Sequence, residues 1–313
     1  MLEAPFYILI ATHGRNTLLK RTLESFCRTN LPKLLVKIII VENGEKYDTE
    51  TVVSQYTDKL PIQYLYTPDA GKSNALNIGL RAISEENSFV FFTDDDVRFS
   101  IDVLTDYYQY ALDYGIGHYF GGPISVDYEN TPEKWIRPFF PASARGWSIE
   151  KGSEKQIKYF LGFNWGAWKK DIEEAGSFSK YFGPGSITGA TGQESDMQDR
   201  LFENGVKPIY VENARVYHFV PKERTTVNWV LKRSHRRGKQ EGLKNHFFDK
   251  DRLIFGYAKA LLLKCIMKLP RVFFAMLFFR EEKRMRILNE YALLLGMLEG
   301  VKKRRKNSST KIL

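Results

Sequence analysis

Cysteine is nearly missing from this sequence: there are two in 313 residues, Cys27 and Cys265, far apart and each in an apolar, helix-patterned context. Such a pair makes neither a disulfide framework nor a metal-ligand spacing, so two buried thiols in a reducing compartment are expected. Glycine-rich phosphate loops are also missing. No GxGxxG follows the first strand-like run and no GxxxxGK[ST] occurs, so any nucleotide bound here needs a metal for its phosphates. The N-terminus has no basic region leading into an apolar core and a small-residue cleavage site, and no signal peptide is expected. Internal repeats are absent, and the one biased tract is the basic cluster at residues 302–306. An uninterrupted spanning run is lacking too. Residues 253–279 are very apolar, but Lys259, Lys264, Lys268 and Arg271 interrupt them and Pro270 breaks them. A spanning helix wants about 18 or more apolar residues, and each central Lys or Arg costs about 2.5–3.5 kcal/mol to insert.

What is present is a globular composition with a lopsided charge. Hydrophobic residues make up 43% of the chain, enough for one large α/β domain and an appendage. From Thr226 onward there are 22 Lys+Arg and 7 Asp+Glu, a net of +15, which leaves −5 for the preceding residues out of the total of +10. A mildly acidic body with a strongly basic tail points to an anionic surface as partner of the tail, either membrane or nucleic acid. The expected division is a domain over 1–225 and a basic, apolar helical region over 226–313.

The body alternates strand-like and helix-like runs. Residues 6–11, 36–41, 62–66 and 89–92 read as strands, and helices are expected after the first and third of them. Alternation of this kind predicts βαβ units and a mainly parallel sheet. The strands end in polar loops: Thr12-His13-Gly14-Arg15, Glu42-Asn43-Gly44, and the carboxylate triplet Asp94-Asp95-Asp96. In a parallel sheet these loops share one edge, where open α/β folds gather their ligands. Adjacent carboxylates repel one another and are usually kept for a cation or a hydrogen-bonding ligand. A solvated acidic turn is the plainer alternative. From 121 to 162 the pattern thins to a long loop with Trp135, Phe139, Phe140 and Trp147, read either as ordinary packing or as a platform for a sugar face.

ATHGR at 11–15, VENG at 41–44, GKSNALNIG at 71–79 and TDDDV at 93–97 resemble, in order and spacing, the family 2 glycosyltransferases. So do GFNWGAWKKDIEEAGSF at 162–178, GQESDMQDRLFENG at 192–205 and ARVYHFV at 214–220. The resemblance implies a GT-A fold (Rossmann-like, mainly parallel), a nucleotide-diphosphate-sugar donor and an inverting transfer to a hydroxyl acceptor. It also implies a divalent metal, Mn²⁺ or Mg²⁺, with Asp96 as principal ligand and Asp94 or Asp95 reaching the metal or the ribose. His218 stands where several members place a histidine on the metal; a core histidine is the competing reading. Registered on Arg200, the family's Glu-Asp pair falls on Gln193-Glu194, which makes Glu194 the base and Asp196 the fallback. Donor contacts are expected from Thr12, His13, Arg15, Glu42, Gly71, Lys72, Asn74, Asn77, Asp94 and Asp95. Gly14 replaces the usual Asn and Glu42-Asn43 the common Asp pair, so the nucleoside stays open.

The tail is expected to be helical and to lie on an anionic membrane, with the enzyme peripheral on its cytoplasmic face and a glycan or lipid-linked acceptor. Ile287, Tyr291, Leu294, Leu298 and Val301 form a second apolar stripe. A packed helical pair or a homo-oligomer interface competes for this region. A sugar nucleotidyltransferase is the rival enzyme, but ATHGRN is a poor version of its loop. Nucleic-acid binding is the rival from another class, and Leu261-Leu262-Leu263 and Phe273-Phe274 are too apolar for it.

Overall fold

Runs of consecutive apolar residues need a sheet covered on both faces, and the structure, a computed structural model, builds one. It describes residues 3–149, 157–185, 192–244, 252–254 and 257–310. Two units are present: one runs to Asp127 and resumes over Gly146–Phe219, the other comprises Tyr128–Arg145 and Val220–Leu313.

In the first unit a seven-stranded sheet takes strands from across the chain. These are β1 (Phe6–Thr12), β2 (Leu35–Asn43), β3 (Ile62–Thr67), β4 (Phe89–Asp94), β6 (His118–Gly121), β8 (Trp165–Trp168) and β9 (Lys207–Tyr210). Their order is β3-β2-β1-β4-β8-β6-β9. The pairs of β1 with β2 and β4, of β2 with β3, and of β6 with β9 are parallel; only β8 runs against its neighbours. A smaller sheet has the order β5-β10-β7, from β5 (Val97–Phe99), β7 (Ile124–Tyr128) and β10 (Val216–Val220).

Side chains alternate along each strand, so the run FVFF divides between two cores. Phe89 and Phe91 join Phe6, Ile8 and Ile10 on one face. Val90 and Phe92 join Tyr7, Leu9 and Ala11 on the other, where Trp165 stacks on Phe92 with 4.6 Å between ring centres. Helix α1 (Asn16–Phe26) buries Leu19, Leu23 and Phe26 against the first core. Helix α3 (Lys72–Arg81) packs on the second, close enough that a β-carbon at Gly79 would fall 2.1 Å from Leu9. The chain leaves β1 toward β2 and β3 and returns across it to β4, so the order reverses between β1 and β4. Thr12–Arg15 and Asp94–Asp96 meet at that switch point, the usual ligand crevice of an open α/β sheet.

The remaining helices of this unit are α2 (Thr49–Ser54), α4 (Val103–Tyr114), α6 (Lys169–Glu174) and α7 (Gln193–Glu203). Residues 121–162 are less of a loop than expected. They contain β7 and the short α5 (Ala142–Arg145), and Trp147 packs edge-on against Phe160 and Tyr210, so this aromatic serves the interior. Positions 150–156 of that stretch lie outside the described residues.

The second unit holds α8 (Val227–Lys244), the two-stranded β11 (Leu253–Ile254) and β12 (Tyr257–Ala258), α9 (Lys259–Phe278) and α10 (Glu281–Thr310). The stripe Ile287, Leu294, Leu298 and Val301 is buried, and its last three members join Leu261 and Cys265 of α9 in one core. The stripe is therefore packing. Cys265 is buried as expected, whereas Cys27 is exposed: α1 ends there and turns it outward. No helix among the described residues is long and apolar enough to cross a membrane.

Candidate active site

The crevice is a cleft of about 330 Å³, within the range of small-molecule sites. Thr12, His13, Arg15, Asn43, Gly71, Lys72, Asp94, Gln193 and Glu194 are among the residues lining it. Its floor is held from behind. Thr12 Oγ1 donates to Asp95 Oδ2 at 2.7 Å, and Thr22 donates to the Asp95 carbonyl while accepting from the Val97 amide. Asn43 donates to the Thr12 carbonyl at 2.8 Å and accepts the Gly71 amide at 2.9 Å, so one side chain joins the ends of β1 and β2 to the start of α3. The His13 ring sits 2.6 Å from the Asn43 carbonyl and edge-on to Tyr47. Gly14 has φ +63°, the left-handed region in which Asn is the best-tolerated substitute. The exchange of Asn for Gly there keeps the turn.

Charge in the cleft is arranged as alternating signs. Arg15 reaches Asp95 Oδ1 at 2.9 Å and Asp96 Oδ2 at 2.5 Å. Lys72 Nζ lies 2.6 Å from Asp94 Oδ1 and 3.0 Å from Glu194 Oε1. Burial alone would favour a neutral Lys72, but Asp94 and Glu194 outweigh it and raise its pKa. Burial pushes the Asp95 carboxyl up to about 7, with Arg15 pulling it down and Asp96 adding to the rise. Asp94 is raised by the same burial against the pull of Lys72.

Glu194, at the start of α7, has Oε1 held twice, by Lys72 and by Gln193 Nε2 at 2.6 Å. Its carboxylate fits over bare backbone: a β-carbon on Gly162 would fall 2.0 Å from Oε1. Asp196 is directed elsewhere, to Arg200 at 2.9 Å, and Arg200 in turn donates to the carbonyls of Ala175 and Ser177. The two carboxylates thus separate into one in the cleft and one that secures α7. Gln193, noted in the sequence only as a missing carboxylate, proves to be a buried donor to its neighbour. Its signal was the departure from the family's acidic pair.

Other expected residues divide in the same way. Glu42 is fully buried and accepts hydrogen bonds from Thr49, the Tyr47 amide and Tyr64, so it shapes the loop after β2 and does not line the cleft. Asn77 is bonded in both directions to the backbone of Phe178, and Asn74 to the Asp69 carbonyl. Gly71 and Gly185 touch backbone to backbone, which brings the 182–185 segment over α3, where Ser73 donates to the Phe182 carbonyl. His218 is stacked on Phe163 at 4.5 Å, and its Nε2 is 3.5 Å from Asp96 Oδ1, a buried oxygen with no hydrogen-bond partner. The Phe219 amide donates to the Asp96 carbonyl, which fixes β10 beside the triplet.

An orphaned carboxylate oxygen facing an imidazole nitrogen suits a divalent cation, since hard ions at about 2.1 Å per ligand take oxygen and tolerate one nitrogen. Among the described residues no group of three His, Cys, Asp or Glu is gathered for a metal. Mg²⁺-like sites with only one or two protein ligands are completed by substrate phosphate and water.

Comparison with known proteins bears on the family and the fold. Succinoglycan biosynthesis protein ExoM of Rhizobium meliloti (strain 1021) is 25% identical over 228 residues, 72% of this chain and 70% of that one. Minor teichoic acid biosynthesis protein GgaA of Bacillus subtilis (strain 168) is 25% identical over 111 residues, 34% of this chain and 25% of its own length. Among solved structures, mannosyltransferase PcManGT from Pyrobaculum calidifontis, in complex with GDP-Man and Mn²⁺, superposes with a TM-score of 0.54 at 16% identity, covering 99% of this chain and 87% of that one. S. aureus TarS 1-349 in complex with UDP-GlcNAc gives 0.52 at 12% identity, covering 98% and 92%. These likenesses give the fold as GT-A. Residues 7–175 match glycosyl transferase family 2. That stretch is more than half of the chain and carries the whole aspartate triplet, and the protein is a glycosyltransferase belonging to this family.

Proposed function

We propose that the enzyme transfers a sugar from a nucleotide-diphosphate donor to a hydroxyl of a glycan or lipid-linked acceptor, with inversion, and that Glu194 is the base. The observation that carries this is Glu194 itself. It lies in the cleft with one oxygen held by Lys72 and Gln193, while Asp196 is committed to Arg200. In a single displacement the acceptor oxygen bonds to the anomeric carbon from the face opposite the diphosphate. The bond to the diphosphate breaks with its electron pair, and the acceptor proton passes to Glu194. Inversion follows from the one displacement.

Asp96 and His218 are the residues that would hold a divalent metal, Mn²⁺ or Mg²⁺, with Asp94 nearby. When bound, the metal neutralises the charge developing on the leaving diphosphate. Support comes from the orphaned Asp96 oxygen and from the Mn²⁺ named with PcManGT. Thr12, His13, Arg15, Gly71 and Lys72 serve the donor, and Asp95 sets the floor on which Arg15 is anchored. Glu42, Asn74 and Asn77 act through the shape of the loops they tie. ExoM and GgaA are named for succinoglycan and minor teichoic acid biosynthesis, which supports a growing glycan as acceptor; the proposed place of action is peripheral, on the cytoplasmic face of the membrane.

The test is turnover alongside donor-nucleotide affinity for Glu194→Gln and Asp196→Asn. General-base assistance typically contributes about 10²–10⁴-fold, so Glu194→Gln should lose that factor in turnover and keep its affinity. If Asp196→Asn is the dead variant and Glu194→Gln turns over normally, the base assignment fails.

A further inference from the structure

Helix α9 leaves a contiguous apolar surface uncovered. Its inner stripe, Leu261, Cys265 and Ala275, is buried, and Lys268 pairs with Glu290 of α10 at 3.2 Å. Nine large apolar side chains between Leu263 and Phe278 are each more than 40% exposed, Met267 at 72% and Phe278 at 70% among them. Elsewhere among the described residues exposed apolar side chains are scattered along the chain. Scattered ones are ordinary, whereas a contiguous patch marks an interaction surface.

We propose that α9 is a membrane-docking helix that lies in the headgroup region of an anionic bilayer, with Met267, Phe273, Phe274, Leu277 and Phe278 inserted. The charge pattern selects this occupant. The helix carries Lys259, Lys264, Lys268 and Arg271 and not one acidic residue. Lys264 and Arg271 are seven residues apart and therefore share one edge of the helix, bordering the apolar arc. An apolar arc bordered by cations is what anionic headgroups over acyl chains match. A second copy of the same helix would bring cations against cations with no carboxylate on either α9 to answer them. At 20 residues this helix is long enough to span, but Lys264, Lys268 and Arg271 interrupt its apolar run, and no helix among the described residues is both long and apolar enough to cross a membrane. The proposal deepens the reading above by naming its membrane contact, and rests on it only for why a glycan-assembling enzyme meets a bilayer.

The experiment is co-sedimentation of the full-length chain with vesicles of phosphatidylcholine, alone or mixed with phosphatidylglycerol. The protein should pellet with the mixed vesicles, less so in high salt, and stay in solution with phosphatidylcholine alone. Phe273→Ser/Phe274→Ser/Phe278→Ser should abolish pelleting. Because these side chains are exposed, its thermal unfolding should match the parent. Lys264→Glu/Arg271→Glu should weaken partitioning at least about tenfold, since each charge near an anionic leaflet is worth roughly fivefold. Unchanged pelleting of both variants would overturn the proposal. So would a parent that ignores anionic vesicles but is a dimer by light scattering, made monomeric by the serine substitutions: the occupant would then be a second copy. No activity is read, so this failure and a failed base assignment are separable.

Discussion

Lys72 and Gln193 decide what Glu194 can do. Both donate to Oε1, so with Glu194 as the base proposed above, Oε2 is the oxygen that would take the acceptor proton. Replacing Gln193 by Glu restores the acidic pair of the family but sets two carboxylates side by side where a hydrogen bond stood. Gln193→Glu should lower turnover by about tenfold with little change in donor affinity, while Gln193→Leu removes only the donor and should cost less; paired kinetics and nucleotide titrations check this. Gly162 acts through space alone. Gly162→Ala should displace the Glu194 carboxylate and depress turnover, and Glu194→Asp, one methylene shorter, should partly rescue it. Lack of rescue in the double variant would mean that the alanine acts some other way. Asp96→Asn keeps the size of the side chain and loses its charge, so metal-dependent transfer should vanish while thermal stability holds.

At the level of elements, the strands and the terminal helices hold together for different reasons. β1 through β4 are fixed by apolar residues on both faces, and Tyr7 adds a hydrogen bond to Glu85 at 2.6 Å. That bond holds the Glu85 carboxyl below the usual carboxylate range. A depressed folded-state pKa contributes stability above the unfolded value, lost as pH falls through the folded one. Tyr7→Phe should therefore flatten the acid limb of the stability curve, as denaturant titrations across pH would read. The terminal helices meet backbone to backbone. Gly238 and Gly242 of α8 face Gly296 and Gly300 of α10, and a β-carbon at Gly296 would lie 1.9 Å from the His235 carbonyl. Carbonyls cannot swing aside as side chains do, so Gly296→Ala should destabilise the helical unit by about 1–3 kcal/mol, the usual cost of overpacking. An unchanged unfolding midpoint would contradict that close approach.

For the whole molecule the charge split organises the behaviour. The body, at −5, carries the cleft, and the region after Thr225, at +15, carries α9 and the basic cluster at 302–306. Chelating divalent metal should abolish transfer without unfolding the chain. Donor diphosphate with metal, at about 100 times its dissociation constant, should stabilise by about 2.7 kcal/mol, and less without metal. Equal thermal shifts with and without metal would argue for cationic side chains, Arg15 and Lys72, as the phosphate partners instead.

Strand identity, the parallel arrangement and the position of the triplet were legible from sequence, because period-2 and period-3.6 apolar patterns and turn residues are local signals. The family's register on Arg200 named Glu194 as base with Asp196 as fallback, and the structure sets the first in the cleft and the second against Arg200. Local pattern does not say which polar side chain spends itself on its own fold. Glu42 looked like a ligand contact, and only the packing of Tyr47, Thr49 and Tyr64 around it shows a carboxylate already satisfied. Lys72 and Glu194 are 122 positions apart, and Thr12 and Asp95 are 83 apart. Such pairs exist only once the sheet has closed, so no window of sequence contains them. The two apolar stripes of the tail look alike as periodicities; α10 is covered because α8 and α9 pack on it, and α9 keeps its outer face open. Sequence determines which residues are apolar and at what spacing, because that is chemistry carried by each residue. Tertiary structure decides which of those faces meets a neighbour, because burial depends on what the rest of the chain brings there.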